Sequence, residues 1–223
     1  MVIIFDLDDT LYNEADFINS GFNAVSRHLK KQFDIPTKTT VRLLNKYLKK
    51  GRSYIIDNTL TELNIYTKKE VKNCIDIYRH HRPNIKIPIE SKKLLKQLKP
   101  WPIYIISDGH KVVQKNKIIA LGLEKMVKKY ILTHLYGNKY EKPSAYCFEL
   151  IRKWEETTPN KIVYIADDPN KDFIGIKKLG YRTIRIKQGR FKKLKLNKDF
   201  EADVTVKKIN QINAKLLKKL IYE

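Results

Sequence analysis

Four short apolar runs, at Val2–Phe5, 103–106, Ile162–Ala166 and 183–186, each give way to polar residues and then to a longer stretch with helical spacing. Runs that short and continuous suit strands buried on both faces, and strands alternating with helices suit a parallel sheet covered on both sides. The chain therefore reads as α/β, with a Rossmann-like doubly wound parallel sheet as its core. Weaker strands are expected at 130–133 and 202–206. Their order in the sheet is not readable from sequence.

Between the first and second runs lie almost a hundred residues with no convincing strand but with helical spacing at about 14–34, 38–50, 53–64 and 67–82. An inserted α-helical domain over 15–83 is expected, within a core made of 1–14 and 84–223. Pro83 and Pro88 bracket one linker and residues 13–16 form the other, so the two parts are joined as hinged domains are. A final helix is expected to carry Ile209, Ile212, Leu216, Leu217, Leu220 and Ile221 on one stripe, with lysines opposite, and to cover one face of the sheet.

Composition narrows the function classes. Of 223 residues, 42% are hydrophobic and 31% charged, enough apolar material to exclude global disorder. No apolar run approaches the ~18 residues of a membrane span, and Asp6 interrupts the first run where a signal peptide needs a longer one. A cytoplasmic protein without a membrane partner is expected. Cys74 and Cys147 match no CxxC spacing, so neither a zinc knuckle nor a disulfide framework is indicated. The net charge of +22 favours anionic ligands. Lysine is spread along the whole chain, as compositional bias would leave it, and no basic arm marks a specific nucleic-acid partner.

Chemistry concentrates where strands end. Phe5-Asp6-Leu7-Asp8-Asp9-Thr10 places three carboxylates directly after the first run, and Asp167-Asp168-Pro169-Asn170-Lys171-Asp172 follows the third in the same manner. Ligands of open α/β sheets bind beyond the carboxyl ends of the strands. Asp6 and Asp8 would face the same way if the strand continued through them. Carboxylates so crowded repel one another unless a cation holds them, which points to a hard divalent ion such as Mg2+. Ser107-Asp108-Gly109 offers a hydroxyl and main-chain N–H groups to an anion. Lys142-Pro143 is read as opening a helix, where the lysine could neutralise phosphate oxygens. Taken singly these pieces make ordinary helix caps and turns; their joint order makes a site.

With these motifs the chain resembles the haloacid dehalogenase superfamily, most of whose members are magnesium-dependent phosphatases. Asp6-Leu7-Asp8-Asp9-Thr10 matches its DxDxT motif, Ser107 its second motif, Lys142 its third, and Asp167 with Asp172 its acidic fourth. The resemblance implies that Asp6 is the nucleophile and Asp8 the general acid and base. It also implies that Asp6, the main-chain carbonyl of Asp8 and Asp167 hold Mg2+, and that Ser107, the N–H of Asp108 and Lys142 hold the phosphoryl oxygens. Ala166 stands where many relatives have glycine, and Asp168 where many have Asn or Ser, which leaves Asp167 and Asp168 as alternative metal ligands; Asp167 is preferred because it comes first after the strand. The insert over 15–83 resembles the family's helical cap, and the thirty-five positions from Ser107 to Lys142 leave no room for a cap there.

Asp8 separates reaction classes within the resemblance, because a departing halide needs no proton and a departing alkoxide does. The expected enzyme is a phosphatase acting on a small phosphorylated metabolite, as a monomer or homodimer. A sugar phosphate is preferred over a nucleotide, since no aromatic sandwich for a base stands out. The alternatives are a nucleotide 5'-monophosphatase, a sugar-phosphate mutase of the same fold, and a non-catalytic basic protein holding nucleic acid. Arg52, in Lys49-Lys50-Gly51-Arg52-Ser53-Tyr54, is a candidate for binding the leaving group, and Tyr78-Arg79-His80-His81-Arg82 a second such segment.

Overall fold

The computed structural model describes residues 1–222. Its elements run β1 (Val2–Phe5), α1 (Glu14–Phe33), α2 (Thr37–Lys50), α3 (Ile55–Glu62), α4 (Lys68–His80), α5 (Ile89–Gln97), β2 (Ile103–Ser107), α6 (Lys111–Ala120), β3 (Lys129–Leu132), α7 (Tyr146–Trp154), β4 (Ile162–Ala166), α8 (Ile174–Lys177), β5 (Arg182–Ile186), β6 (Val204–Val206) and α9 (Ala214–Tyr222). The six strands form one parallel sheet in the order β3-β2-β1-β4-β5-β6, the α/β architecture expected.

The chain lays down β2 and β3 on one side of β1, then crosses back to place β4 on the other. That reversal is a topological switch point, and it opens a crevice beyond the carboxyl ends of β1 and β4. Phe5 pairs with Ile165, and the amide of Asp6 still donates to the carbonyl of Ile165 at 2.9 Å. Asp6 and Asp167 are thereby delivered to the same crevice.

The central strands are buried along their whole length, which explains their uninterrupted apolar sequence. On one face Val2, Ile4, Tyr104, Ile106, Ile162 and Tyr164 pack with Phe148 and Ile151 of α7 and with Phe173 and Ile176. Each such large side chain contributes roughly 1.5–3 kcal/mol by leaving water. The terminal stripe is divided: Ile209 belongs to a short 3-10 turn, and α9 begins only at Ala214. Ile209, Ile212, Leu217 and Ile221 are nonetheless all buried, and α9 lies along β4.

The chain divides into two compact units, Met1–Glu14 with Lys86–Glu223, and Ala15–Ile85. The second holds α1 to α4 around its own core of Ile18, Phe22, Val25, Leu29, Leu44, Leu60 and Cys74. No helix among the described residues is long and apolar enough to cross a membrane.

Candidate active site

β1 ends at Phe5, and the chain after it turns rather than extending: Asp9 takes a left-handed φ of 51°, and the amide of Leu11 donates to the carbonyl of Leu7. The strand alternation behind the expectation that Asp6 and Asp8 face alike therefore stops short of both. Their carboxylates meet different partners. Asp6 Oδ1 accepts from Lys142 Nζ at 2.5 Å. Asp8 accepts from Lys117 Nζ at 2.8 Å on each oxygen, from the Tyr12 hydroxyl at 2.6 Å and from Gln114 Nε2 at 3.2 Å.

Lys142 is the hub of the crevice. Besides Asp6, its Nζ lies 2.8 Å from Asp172 Oδ1 and donates to the Tyr164 hydroxyl at 2.9 Å, while that hydroxyl donates to Asp172 at 3.0 Å. The expected helix at Lys142-Pro143 is absent: these residues lie in a turn, where the amide of Ser144 donates to the carbonyl of Glu141, and α7 starts at Tyr146. The turn is held from two sides. The amide of Lys142 donates to Asp108 Oδ1 at 3.3 Å, and a Cβ on Gly175 of α8 would come within 1.7 Å of the Pro143 carbonyl oxygen. Only glycine lets α8 approach so closely.

Asp108 follows Ser107 at the carboxyl end of β2 and serves that turn from its side chain, accepting also from Thr133 at 3.0 Å and Lys171 at 2.7 Å. Burial works against its charge, but Lys142 and Lys171 hold its carboxyl below the usual range. Ser107 is itself buried. Asp9 has a supporting part: it accepts from the amides of Glu14 and Arg190, and Gly189, at a φ of 62°, packs directly against its carboxylate.

The two aspartates after β4 are used differently. Asp168 is spent on local structure, accepting from the amide and side chain of Asn170 at 3.0 and 2.7 Å. Asp167 has no such donor among the described residues; burial, then Asp6, Asp172 and Asp9, push its carboxyl up to about 9. Asp6 is also raised, to about 7, by burial and by Asp172, with Lys142 acting in the opposite direction. Asp6 raises the proton affinity of Asp167, and two buried carboxylates at one crevice fit the demand of a hard divalent cation such as Mg2+, which takes oxygen ligands. Asp8 behaves otherwise: burial would raise it, but the charge and hydrogen bonds of Lys117, with those of Tyr12 and Gln114, bring it below the ordinary value.

Asp6, Ser107, Asp108, Lys142 and Asp167 thus gather at the ends of β1, β2 and β4 and the turn before α7. Arg52 belongs to the helical unit, in the bend after Gly51, where it lines a cavity of about 240 Å³ with Ile18, Phe22, Leu48, Asp57 and Tyr78. Tyr78 and His81 are committed there to an aromatic cluster with Phe17, and His81 also meets the Ser20 hydroxyl. Sequence reasoning missed Lys117, Gln114, Tyr12, Tyr164 and Lys171. A signal existed for two of them, since Gln114 and Lys117 are polar residues one helical turn apart on the buried face of α6, beside Val113 and Ile118.

Comparison with known proteins gives the chain a family and a fold. The profile of the family described as "Haloacid dehalogenase-like hydrolase" matches residues 3–186. A curated relative from Methanocaldococcus jannaschii, named glyceraldehyde 3-phosphate phosphatase, is 28% identical over 94% of this chain and 94% of its own length. Another of that name, from Pyrococcus furiosus, is 26% identical over 95% and 90%. Among solved structures, the putative hydrolase YfnB from Bacillus subtilis, described as bound to magnesium, superposes with a TM-score of 0.65 at 15% identity, over 98% of this chain and 97% of its own.

Proposed function

The chain belongs to the haloacid dehalogenase-like hydrolases, and we propose that it is a magnesium-dependent phosphatase that releases phosphate from a small sugar phosphate through an aspartyl-phosphate on Asp6. Family and relatives place it among the phosphoric monoester hydrolases. The relatives named glyceraldehyde 3-phosphate phosphatase support a short phosphorylated sugar as the substrate class. The observation that carries the reading is the buried Lys142 ammonium set between Asp6 and Asp172 at the switch point of the sheet.

Asp6 attacks phosphorus in line with the leaving oxygen, and the acyl phosphate splits one difficult hydrolysis into two easier displacements. Lys142, kept charged well above the ordinary lysine range by Asp172 and Asp6 despite its burial, supplies the fixed positive charge that draws phosphoryl oxygens toward the nucleophile. Ser107 and the main-chain amide of Asp108 hold the remaining oxygens. Asp6, the Asp8 carbonyl and Asp167 would hold Mg2+, whose charge offsets the approach of an anionic carboxylate to an anionic ester. Asp8 protonates the departing alkoxide and afterwards takes a proton from the attacking water. A phosphate dianion arriving beside it raises its proton affinity, so Asp8 binds its proton together with the substrate. The helical unit is the candidate source of substrate selectivity, with Arg52 its proposed recognition residue.

Assay of inorganic phosphate released from three-carbon, pentose and hexose phosphates and from nucleotides, with Mg2+ and with chelator, tests this reading. Metal-dependent release that is fastest on a short sugar phosphate and absent in Asp6→Asn is the expected result. Full activity in that variant, or preference for nucleotides, contradicts it.

A further inference from the structure

The helical unit contains a cluster that the proposed hydrolysis leaves unused. His28 on α1 and Glu70 and Cys74 on α4 bring Nε2, Oε1 and Sγ within 4.8 Å of one another. His28 Nε2 lies 2.6 Å from Glu70 Oε1, and the Cys74 thiol donates to the same oxygen at 3.5 Å. We propose that His28, Glu70 and Cys74 form a second metal site, for Zn2+ or a similar borderline transition ion, which clasps the first and last helices of the helical unit.

The donor set selects the ion. One imidazole nitrogen, one carboxylate oxygen and one thiolate sulfur are the ligands of zinc, whereas Mg2+ takes oxygen. With metal bonds of ~2.3 Å to sulfur and ~2.0 Å to oxygen, a tetrahedral site separates S and O by roughly 3.5 Å, which is the distance found. The imidazole and carboxylate need to part by less than about 1 Å as the ion replaces the proton they share. Asn73 Nδ2 donates to Glu70 Oε2 at 3.3 Å, an outer contact of the kind that orients a ligating carboxylate. Thr67 accepts from the amide of Glu70 and fixes the start of α4. The His28 side chain keeps 26% of its surface, leaving a route for the ion and for a fourth, water ligand.

Charge and size give the site its purpose. Cys74 is wholly buried in the cluster of Val25, Leu29, Leu44 and Leu60, and burial with the Glu70 carboxylate pushes its thiol up to about 12. A thiol so held is no nucleophile at neutral pH. A dication that displaces its proton to solvent forms the S–metal bond, and thiolate, carboxylate and ion then sum to zero within the apolar cluster. The unit spans only Ala15–Ile85, a size at which a hydrophobic core alone is marginal and a metal staple contributes most. His28 and Glu70 are 42 positions apart, so their bridging closes a long loop.

The full chain, stripped with chelator and supplied with excess Mg2+ to fill the oxygen site, is titrated with Co2+ as a spectroscopic substitute for zinc. One equivalent should give thiolate-to-cobalt charge transfer in the near ultraviolet and a tetrahedral d–d band in the visible. Cys74→Ser should lose the charge-transfer band and Cys147→Ser should keep it. His28→Gln, which retains the thiol, should bind Co2+ at least ~10-fold more weakly, and so decides the matter even if Cys74→Ser does not fold. Zn2+ should raise Tm in wild type but not in His28→Gln. Absence of a thiolate band in wild type, or its persistence in Cys74→Ser, overturns the proposal. Phosphate release is read separately with Mg2+ alone, so failure there leaves this result standing.

Discussion

Asp6, buried, and Asp8, half-buried, stand two residues apart and each meets a lysine, yet their surroundings drive them in opposite directions. Around Asp6, Lys142 is shared with Asp172, and burial together with Asp172 outweighs Lys142 and Lys171, so Asp6 rises to about 7. Around Asp8 the lysine is bound through both carboxylate oxygens and is joined by Tyr12 and Gln114, so the partners outweigh burial and the carboxyl is lowered. The difference lies in the donors each carboxylate accepts from: Lys142 at Asp6, against Lys117, Tyr12 and Gln114 at Asp8. Under the proposed mechanism the first carboxylate is suited to a metal ion and the second to a proton delivered with substrate.

Four experiments break or sharpen that comparison. Asp6→Asn removes the nucleophile and should lower turnover by ~10⁴-fold or more on every substrate, as nucleophile loss does elsewhere; steady-state phosphate release measures it. Asp8→Asn should cost ~10²–10⁴-fold on alkyl phosphates and much less on p-nitrophenyl phosphate, whose leaving group needs no proton. Equal losses on both would remove the acid–base assignment. Lys117→Met takes the cation from Asp8 and should raise its pKa, so the pH profile for alkyl phosphates moves upward while that for p-nitrophenyl phosphate stays in place.

The smallest effect is on stability. Asp6 and Asp167 have folded pKa values above the ordinary 3.8, so between that value and about 7 and 9 the folded state holds protons that the unfolded chain has released. The stability of the metal-free protein therefore falls as pH rises through this window. Tm measured from pH 5 to 9 should decline without Mg2+ and decline far less with it. Asp167→Asn should raise the metal-free Tm at pH 8 by about 2–4 °C while abolishing the response to Mg2+.

The legible parts of the molecule were those fixed by local sequence. β1, β2, β4 and β5 stand out because burial on both faces demands unbroken apolar residues, whereas β3 and β6, at the edges, carry Lys129 and Thr205 and read weakly. Asp6 and Asp167 are visible as candidates because each directly follows a buried strand, where the crevice of an open α/β sheet lies. Lys117, Tyr164 and Gln114 were not, because what makes each of them part of the site is a partner over twenty or a hundred positions away, set by the packing of α6 and β4. The end of β1 was not legible for a similar reason: where a strand stops depends on its neighbours, and β1 stops at Phe5. Helical spacing likewise ran past the true start of α9, since a 3-10 turn buries Ile209 as well as a helix would.

The account stands on a covalent bond between Asp6 and phosphorus. Rapid acid quench during turnover, followed by borohydride reduction of any acyl phosphate and peptide mapping, reads that bond at the level of the residue. The account predicts reduction of Asp6 to homoserine in wild type with substrate and Mg2+, and none when substrate is withheld. Steady phosphate release with an unmodified Asp6, or reduction at another carboxylate, would contradict it.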